Sequence, residues 1–171
     1  MYRNTIIVTG LPRSGTSLCM QMLAAAGIPV LIDHPENPLA DAREMNPNGF
    51  YEYSKIAWVN GLSNAIGKAV KIIAYSPVEF PREAKYLVMR RHAVEIAMSQ
   101  ETSLEKINQE ILDFLKRIDG LNFLEVWYHD LIFNPVNEIA RVSEFLGGNL
   151  DIEAMASVVN PSHYRNRKEL A

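Results

Sequence analysis

The sequence contains one cysteine, Cys19, which excludes an internal disulfide and any zinc site built from several cysteines. Cys19 falls inside an apolar helical run, where a lone thiol reads as small core filler rather than as a nucleophile. Long apolar runs are also missing, and none approaches the roughly 20 residues that a membrane-spanning helix needs. There is no excess of basic charge: 17 Lys and Arg against 20 Asp and Glu leave a net charge of −3. No global field therefore favours nucleic acid or an anionic membrane, and an anionic ligand would need a local basic site. Repeats, low-complexity tracts and Ser/Gly linkers do not occur, and the length suits a single domain over residues 1–171. The first apolar run reads as a strand ending in a glycine loop, not as a signal peptide, so a cytoplasmic location is expected.

What is present is an alternation of apolar strands with amphipathic helices. Thr5 to Val8 is short, apolar and β-branched, as a buried parallel strand requires. A turn from Gly10 to Gly15 leads into a helix from Ser17 to Ala26, which Gly27 ends. Further strands are expected over Ile28 to Ile32, Ala69 to Ala74, Ala84 to Met89 and Asn122 to Tyr128. Helices are expected over Tyr53 to Ile66 (weakened by Gly61), Ala93 to Gln100, Leu104 to Ile118, Pro135 to Leu146 and Asp151 to Val159. Asp33 to Tyr51 carries three prolines, two Asn-Pro pairs and Asn48-Gly49, and reads as a long loop, with or without short helices, of the kind that carries function. The alternation predicts a three-layer α/β/α fold around a mostly parallel five-stranded sheet, with ligands at the carboxyl ends of the strands.

Gly10-Leu-Pro-Arg-Ser-Gly-Thr-Ser17 follows an expected strand and opens an expected helix, the setting that a phosphate cradle requires. Two glycines let the backbone curl around a ligand, and the amides of Ser14 to Ser17 lie at a helix start, where the dipole favours an anion. Hydroxyls at Ser14, Thr16 and Ser17 add donors, and Arg13 adds a fixed positive charge. The spacing imitates a nucleoside-triphosphate loop, but Thr16 stands where that motif places its lysine. Leu87-Val-Met89 ends in Arg90 and Arg91 rather than in an acidic magnesium ligand, and His129-Asp130 after the last strand is a weak substitute.

With the loop and the arginine-bearing strand end together, the sequence resembles the PAPS-dependent sulfotransferases, a family of P-loop fold. Pro12-Arg-Ser-Gly-Thr-Ser17 looks like the family's 5′-phosphosulfate loop. Arg91 and Ser99, eight residues apart, match the pair that grips the 3′-phosphate. Tyr128-His-Asp-Leu131, Asn134-Pro135 and Phe145-Leu-Gly147 are similar to the family's late strand-loop-helix segment, in which the acidic residue is structural. Met45-Asn-Pro-Asn-Gly-Phe-Tyr-Glu52 resembles a stretch of bacterial-type members. The resemblance implies PAPS as sulfuryl donor and PAP as product, with Arg13, Ser14, Gly15, Thr16, Ser17, Arg91 and Ser99 holding the nucleotide. It implies no metal. There are departures: Arg13 replaces a common lysine, Ile73 stands where cytosolic members carry a catalytic histidine after Lys71, and the arginine-glycine closing segment is unmatched. The basic stretch from Tyr164 to Lys168 is a partial substitute for that segment or a solvated tail.

For the chemistry, Arg13 would steady the leaving phosphate, and Lys71 would join it if its strand lies beside the first. His34, Glu36 and Glu52 are candidate bases, with Glu52 preferred because the matched Gly-Phe-Tyr-Glu segment carries it. His92 is given no chemistry. Tyr51 and Trp58 are candidates for an acceptor pocket or for core packing. The expected activity is sulfuryl transfer from PAPS to a hydroxyl or amine of a small-molecule or glycan acceptor. The alternatives are a kinase or NTPase using ATP and magnesium, or a non-catalytic nucleotide-binding domain.

Overall fold

The computed structural model describes residues 4–37, 46, 48–57 and 61–164. Five parallel strands form one sheet: β1 (Ile6–Gly10), β2 (Val30–Leu31), β3 (Ala69–Ile73), β4 (Lys85–Arg90) and β5 (Phe123–Trp127), in the spatial order β2-β3-β1-β4-β5. The sheet is parallel throughout, not merely mostly so. The helices are α1 (Thr16–Ala25), α2 (Ala93–Gln100), α3 (Leu104–Ile118), α4 (Tyr128–Phe133), α5 (Pro135–Leu146) and α6 (Ile152–Ser157).

Strand residues alternate between two cores. Ile7, Val70, Ile72, Tyr86 and Val88 pack with Ile96 of α2 and with Ile107, Phe114 and Ile118 of α3. Val8, Ala69, Leu87, Met89 and Val126 face the other way, against α1, α5 and α6. Period-two side-chain direction in strands buried on both faces accounts for the near-continuous apolar runs of β1 and β4. Cys19 is fully buried in the second core, and burial pushes its thiol up to about 12.

Local structure departs from the sequence reading in four places. Among the described residues, the expected helix over Tyr53 to Ile66 is instead two 3₁₀ turns, Ser54–Ala57 and Gly61–Ala65. Its ends are tied to chain segments flanking the sheet: both carboxylate oxygens of Asp33, just after β2, accept the Ser54 amide, at 3.1 and 3.0 Å, and the Ala65 carbonyl accepts the hydroxyl of Thr5, just before β1. With Gly61 between the tethers, the two described turns follow these anchors rather than an α-helical spiral. The second strand shrinks to Val30–Leu31, at the sheet edge. The fifth strand stops at Trp127, and Tyr128 opens a short helix that the sequence reading did not identify. The last expected helix contracts to Ile152–Ser157, with Asp151 capping the Ala154 amide at 2.9 Å. Residues 38–45, 47 and 165–168, and Trp58, lie outside the described residues. No helix among the described residues is long and apolar enough to cross a membrane.

Candidate functional site

The carboxyl ends of β1, β3, β4 and β5 open onto one cleft of about 480 Å³, a size ordinary for a small-ligand site. It lies where the connections from β1 diverge: the chain leaves toward β2 and β3 on one side and reaches β4 on the other, the switch point at which such sheets bind ligands. Arg13, Gly15, Thr16, Ser17, Glu52, Lys71, Ile73, Arg91 and Tyr128 line it together with Asn160 and His163.

The loop after β1 is a tight cradle. Gly15 has φ 102°, and a Cβ there would meet Tyr128 Cδ2 at 2.5 Å. A Cβ at Gly10 would meet the Met89 carbonyl oxygen at 2.6 Å, so neither glycine can carry a side chain without local movement. Arg13 also lies in the left-handed region, with φ 71°. The first-turn amides of α1 have no intrahelical acceptor and point out of the helix start beside the cleft. Ser14 is used differently from Thr16 and Ser17. Its amide donates to the Leu11 carbonyl at 3.2 Å, and its buried hydroxyl faces Gly10, without a hydrogen-bond partner among the described residues.

Lys71 lies midway along β3, beside Val8 of β1 in register, on the face that packs against α1. It is not a solvent-exposed strand-end residue: its side chain is 2% exposed, and its ammonium sits 2.6 Å from Glu52 Oε1. The Lys71 ammonium and the Ser17 hydroxyl both donate to the Phe50 carbonyl. Gln21 of α1 donates to the Gly49 carbonyl, so the Asn48–Glu52 stretch is strapped over the helix start. Two residues beyond Lys71 on the same face, Ile73 lines the cleft as an aliphatic wall. His34 pairs with Glu36 at 3.5 Å on the surface, and neither lines the cleft.

Arg91, just past β4, is held rigidly. Nε donates to Glu95 Oε2 at 2.7 Å, Nη1 donates to the Arg13 carbonyl at 3.1 Å, and Cζ lies 4.9 Å from the centre of the Tyr128 ring. Ser99 is not among the cleft-lining residues. Its hydroxyl accepts Arg13 Nε at 2.8 Å, which joins α2 to the loop after β1. Gln100 strengthens that joint by donating to the Pro12 carbonyl at 3.0 Å.

The family model of the sulfotransferase domain matches residues 66–171, more than half of the chain. The chain belongs to the sulfotransferase domain family. No curated protein matches it by sequence. Among solved structures, this sulfotransferase-family chain is similar to sulfotransferase STF9 from Mycobacterium avium, with TM-score 0.61 and 12% identity over 92% of this chain and 67% of that one. It is also similar to mouse sulfotransferase SULT7A1 complexed with PAP, with TM-score 0.55 and 15% identity over 92% of this chain and 63% of that one. Retinol dehydratase in complex with androsterone and PAP gives TM-score 0.54 and 16% identity, covering 95% of this chain and 64% of that one. These likenesses are of fold. The chain spans about two thirds of the length of these structures.

Sequence reasoning missed Tyr128, Asn160 and His163 as cleft residues, and Glu95 and Tyr164 behind Arg91. Asn160-Pro161 carries a local signal that the sequence reading did not use: an Asx residue before proline starts a helical turn, and here the Asn160 side chain accepts the Ser162 amide at 3.0 Å. Among the described residues, no three or more His, Cys, Asp and Glu gather as metal ligands.

Proposed function

We propose that this chain binds PAPS in the cleft and transfers its sulfuryl group to a hydroxyl or amine of a small-molecule or glycan acceptor. One observation carries the reading: the loop, Lys71 and Arg91 line a single cleft, so two anionic ends of one nucleotide meet separate cationic positions. The cradle fits such a ligand, because Gly10 and Gly15 leave room only for backbone and the helix-start amides need acceptors. Family membership and the fold shared with PAP-bound proteins support the choice of nucleotide.

When bound, PAPS supplies a sulfuryl group activated by its phosphate leaving group. Arg13, Lys71 and the amides of Gly15, Thr16 and Ser17 hold negative charge at the 5′ end, where it grows during transfer. Ser14 braces the loop from behind. Arg91 holds the 3′-phosphate, and Ser99 serves the nucleotide through Arg13 or beside Arg91. Glu52, which reaches the cleft next to Lys71, accepts the proton that the acceptor gives up. The reading calls for no metal ion.

The aliphatic Ile73 in the cleft favours a second reading, nucleotide binding without turnover. Titrating the protein with PAP, and separately with ATP plus magnesium, while following thermal stability tests the first step. A ligand at a hundred times its dissociation constant adds about 2.7 kcal/mol. Selective, magnesium-independent PAP binding is expected, and preference for ATP with magnesium would turn the reading toward a kinase. Transfer of label from PAPS to a panel of alcohols and amines then separates enzyme from binding domain.

A further inference from the structure

The Arg91 guanidinium is clamped by residues to which no role has been assigned. Glu95, the third residue of α2, is 1% exposed, and Arg91 is 9% exposed. Glu95 uses both oxygens: Oε2 accepts Arg91 Nε at 2.7 Å, and Oε1 accepts the Tyr164 hydroxyl at 2.7 Å. The Tyr164 ring lies 5.3 Å from Arg91 Cζ and packs edge-on to Tyr128, with centroids 5.3 Å apart and planes at 78°. Burial and the hydrogen bond to Glu95 push the Tyr164 hydroxyl up to about 12, so it stays a proton donor at any ordinary pH. Tyr164 closes the turn Pro161–His163, and His163 and Asn160 line the cleft.

A buried carboxylate beside an expected anion site opposes the anion by simple charge, so its presence requires a compensating benefit. That benefit is orientation. A guanidinium recognises phosphate through a planar fork whose useful edge must be aimed, and fixing Nε on Glu95 determines which edge faces the cleft. Two tyrosine rings prevent the plane from rotating, and the Tyr164 hydroxyl keeps Glu95 from swinging away.

We propose that Glu95 and Tyr164 are positioning residues that aim Arg91 at the 3′-phosphate, and that this buried relay sets the preference for a 3′-phosphorylated nucleotide. The inference rests on the reading of the cleft as a PAPS site. It also gives the C-terminal turn a function, because the hydroxyl that steadies Glu95 arrives on the segment that walls the cleft.

The test compares affinity for PAP with affinity for adenosine 5′-monophosphate, which engages the loop end alone, in the wild type, Tyr164→Phe, Glu95→Ala and Glu95→Gln. The wild type is expected to prefer PAP. Tyr164→Phe is expected to lower that preference about tenfold, the scale of one lost hydrogen bond to a charged group, with monophosphate affinity kept. Glu95→Ala should lower it further, and Glu95→Gln, which retains an acceptor for Arg91 Nε, should restore most of it. Should Glu95→Ala fail to fold, Tyr164→Phe decides, since its ring and packing remain. A preference unchanged in Tyr164→Phe, or a parallel fall in affinity for both nucleotides, overturns the positioning role while leaving the PAPS reading intact. A wild type without preference for PAP overturns both.

Discussion

The Lys71 ammonium, inside the sheet, sits 2.6 Å from Oε1 of Glu52, a residue whose side chain is 55% exposed. The pair joins the middle of β3 to the strap that crosses the start of α1, and the Phe50 carbonyl accepts from the same ammonium. A buried cation is retained where its charge is used, because desolvation is costly and apolar filling would pack as well.

Lys71→Met therefore separates structure from chemistry. Methionine fills the space, and Glu52 can turn to water, so thermal stability should stay within a few degrees of wild type, a change of about 1 kcal/mol or less. The rate of transfer from PAPS should fall about 10²–10³-fold, as when a stabilising donor is removed. An unchanged rate would make Lys71 a strap anchor only.

Gly15→Ala places a methyl group against the Tyr128 ring, at 2.5 Å, with φ in the left-handed region. The cost should be about 1–3 kcal/mol in stability, with a loss of PAP affinity as the loop shifts. Thermal melts and titration check both, and retained affinity would show that the loop tolerates movement.

Arg91 and Ser99 should separate in mutagenesis. Arg91→Ala is expected to weaken PAP far more than a nucleotide lacking the 3′-phosphate. Ser99 holds Arg13 Nε, so Ser99→Ala should weaken both nucleotides alike. A selective loss of 3′-phosphate preference in Ser99→Ala would place Ser99 beside Arg91 instead.

Alkaline pH should unfold the protein through groups that are neutral when buried. Burial raises Cys19 from 9.0 to about 12, and burial with the Glu95 contact raises Tyr164 from 10.0 to about 12. The unfolded chain loses these protons first, so their stabilisation is complete below pH 9 and is lost as pH rises through 9–12. Each contributes a slope of up to about 1.4 kcal/mol per pH unit. Urea melts between pH 8 and 11 measure it, and Cys19→Ala should flatten the part of the curve that begins near pH 9. A slope unchanged by that substitution would assign the alkaline loss to other groups.

The loop between β1 and α1 was legible because it is local: strand, two glycines, hydroxyls and helix follow within a dozen residues, and each acts on its neighbours. Arg91 was legible for the same reason, as a charge at the end of an apolar run. The helix over Tyr53 to Ile66 misled because its pattern is local while its anchors are distant in sequence: Asp33, just after β2, and Thr5, just before β1. The late strand was overextended at Tyr128, where an aromatic side chain suits either state.

The sequence by itself determined the alternation of strands and helices, the cradle and its charge, since periodicity and turn chemistry are written in neighbouring residues. Only the tertiary structure decided that Lys71 is buried against Glu52, that the Ser14 hydroxyl is buried against Gly10 and that Ser99 holds Arg13. It also brought Tyr164 to Glu95, 69 residues away. Those relationships depend on strand register and on how each helix is rotated against the sheet, which are set by the packing of the whole core rather than by any one segment.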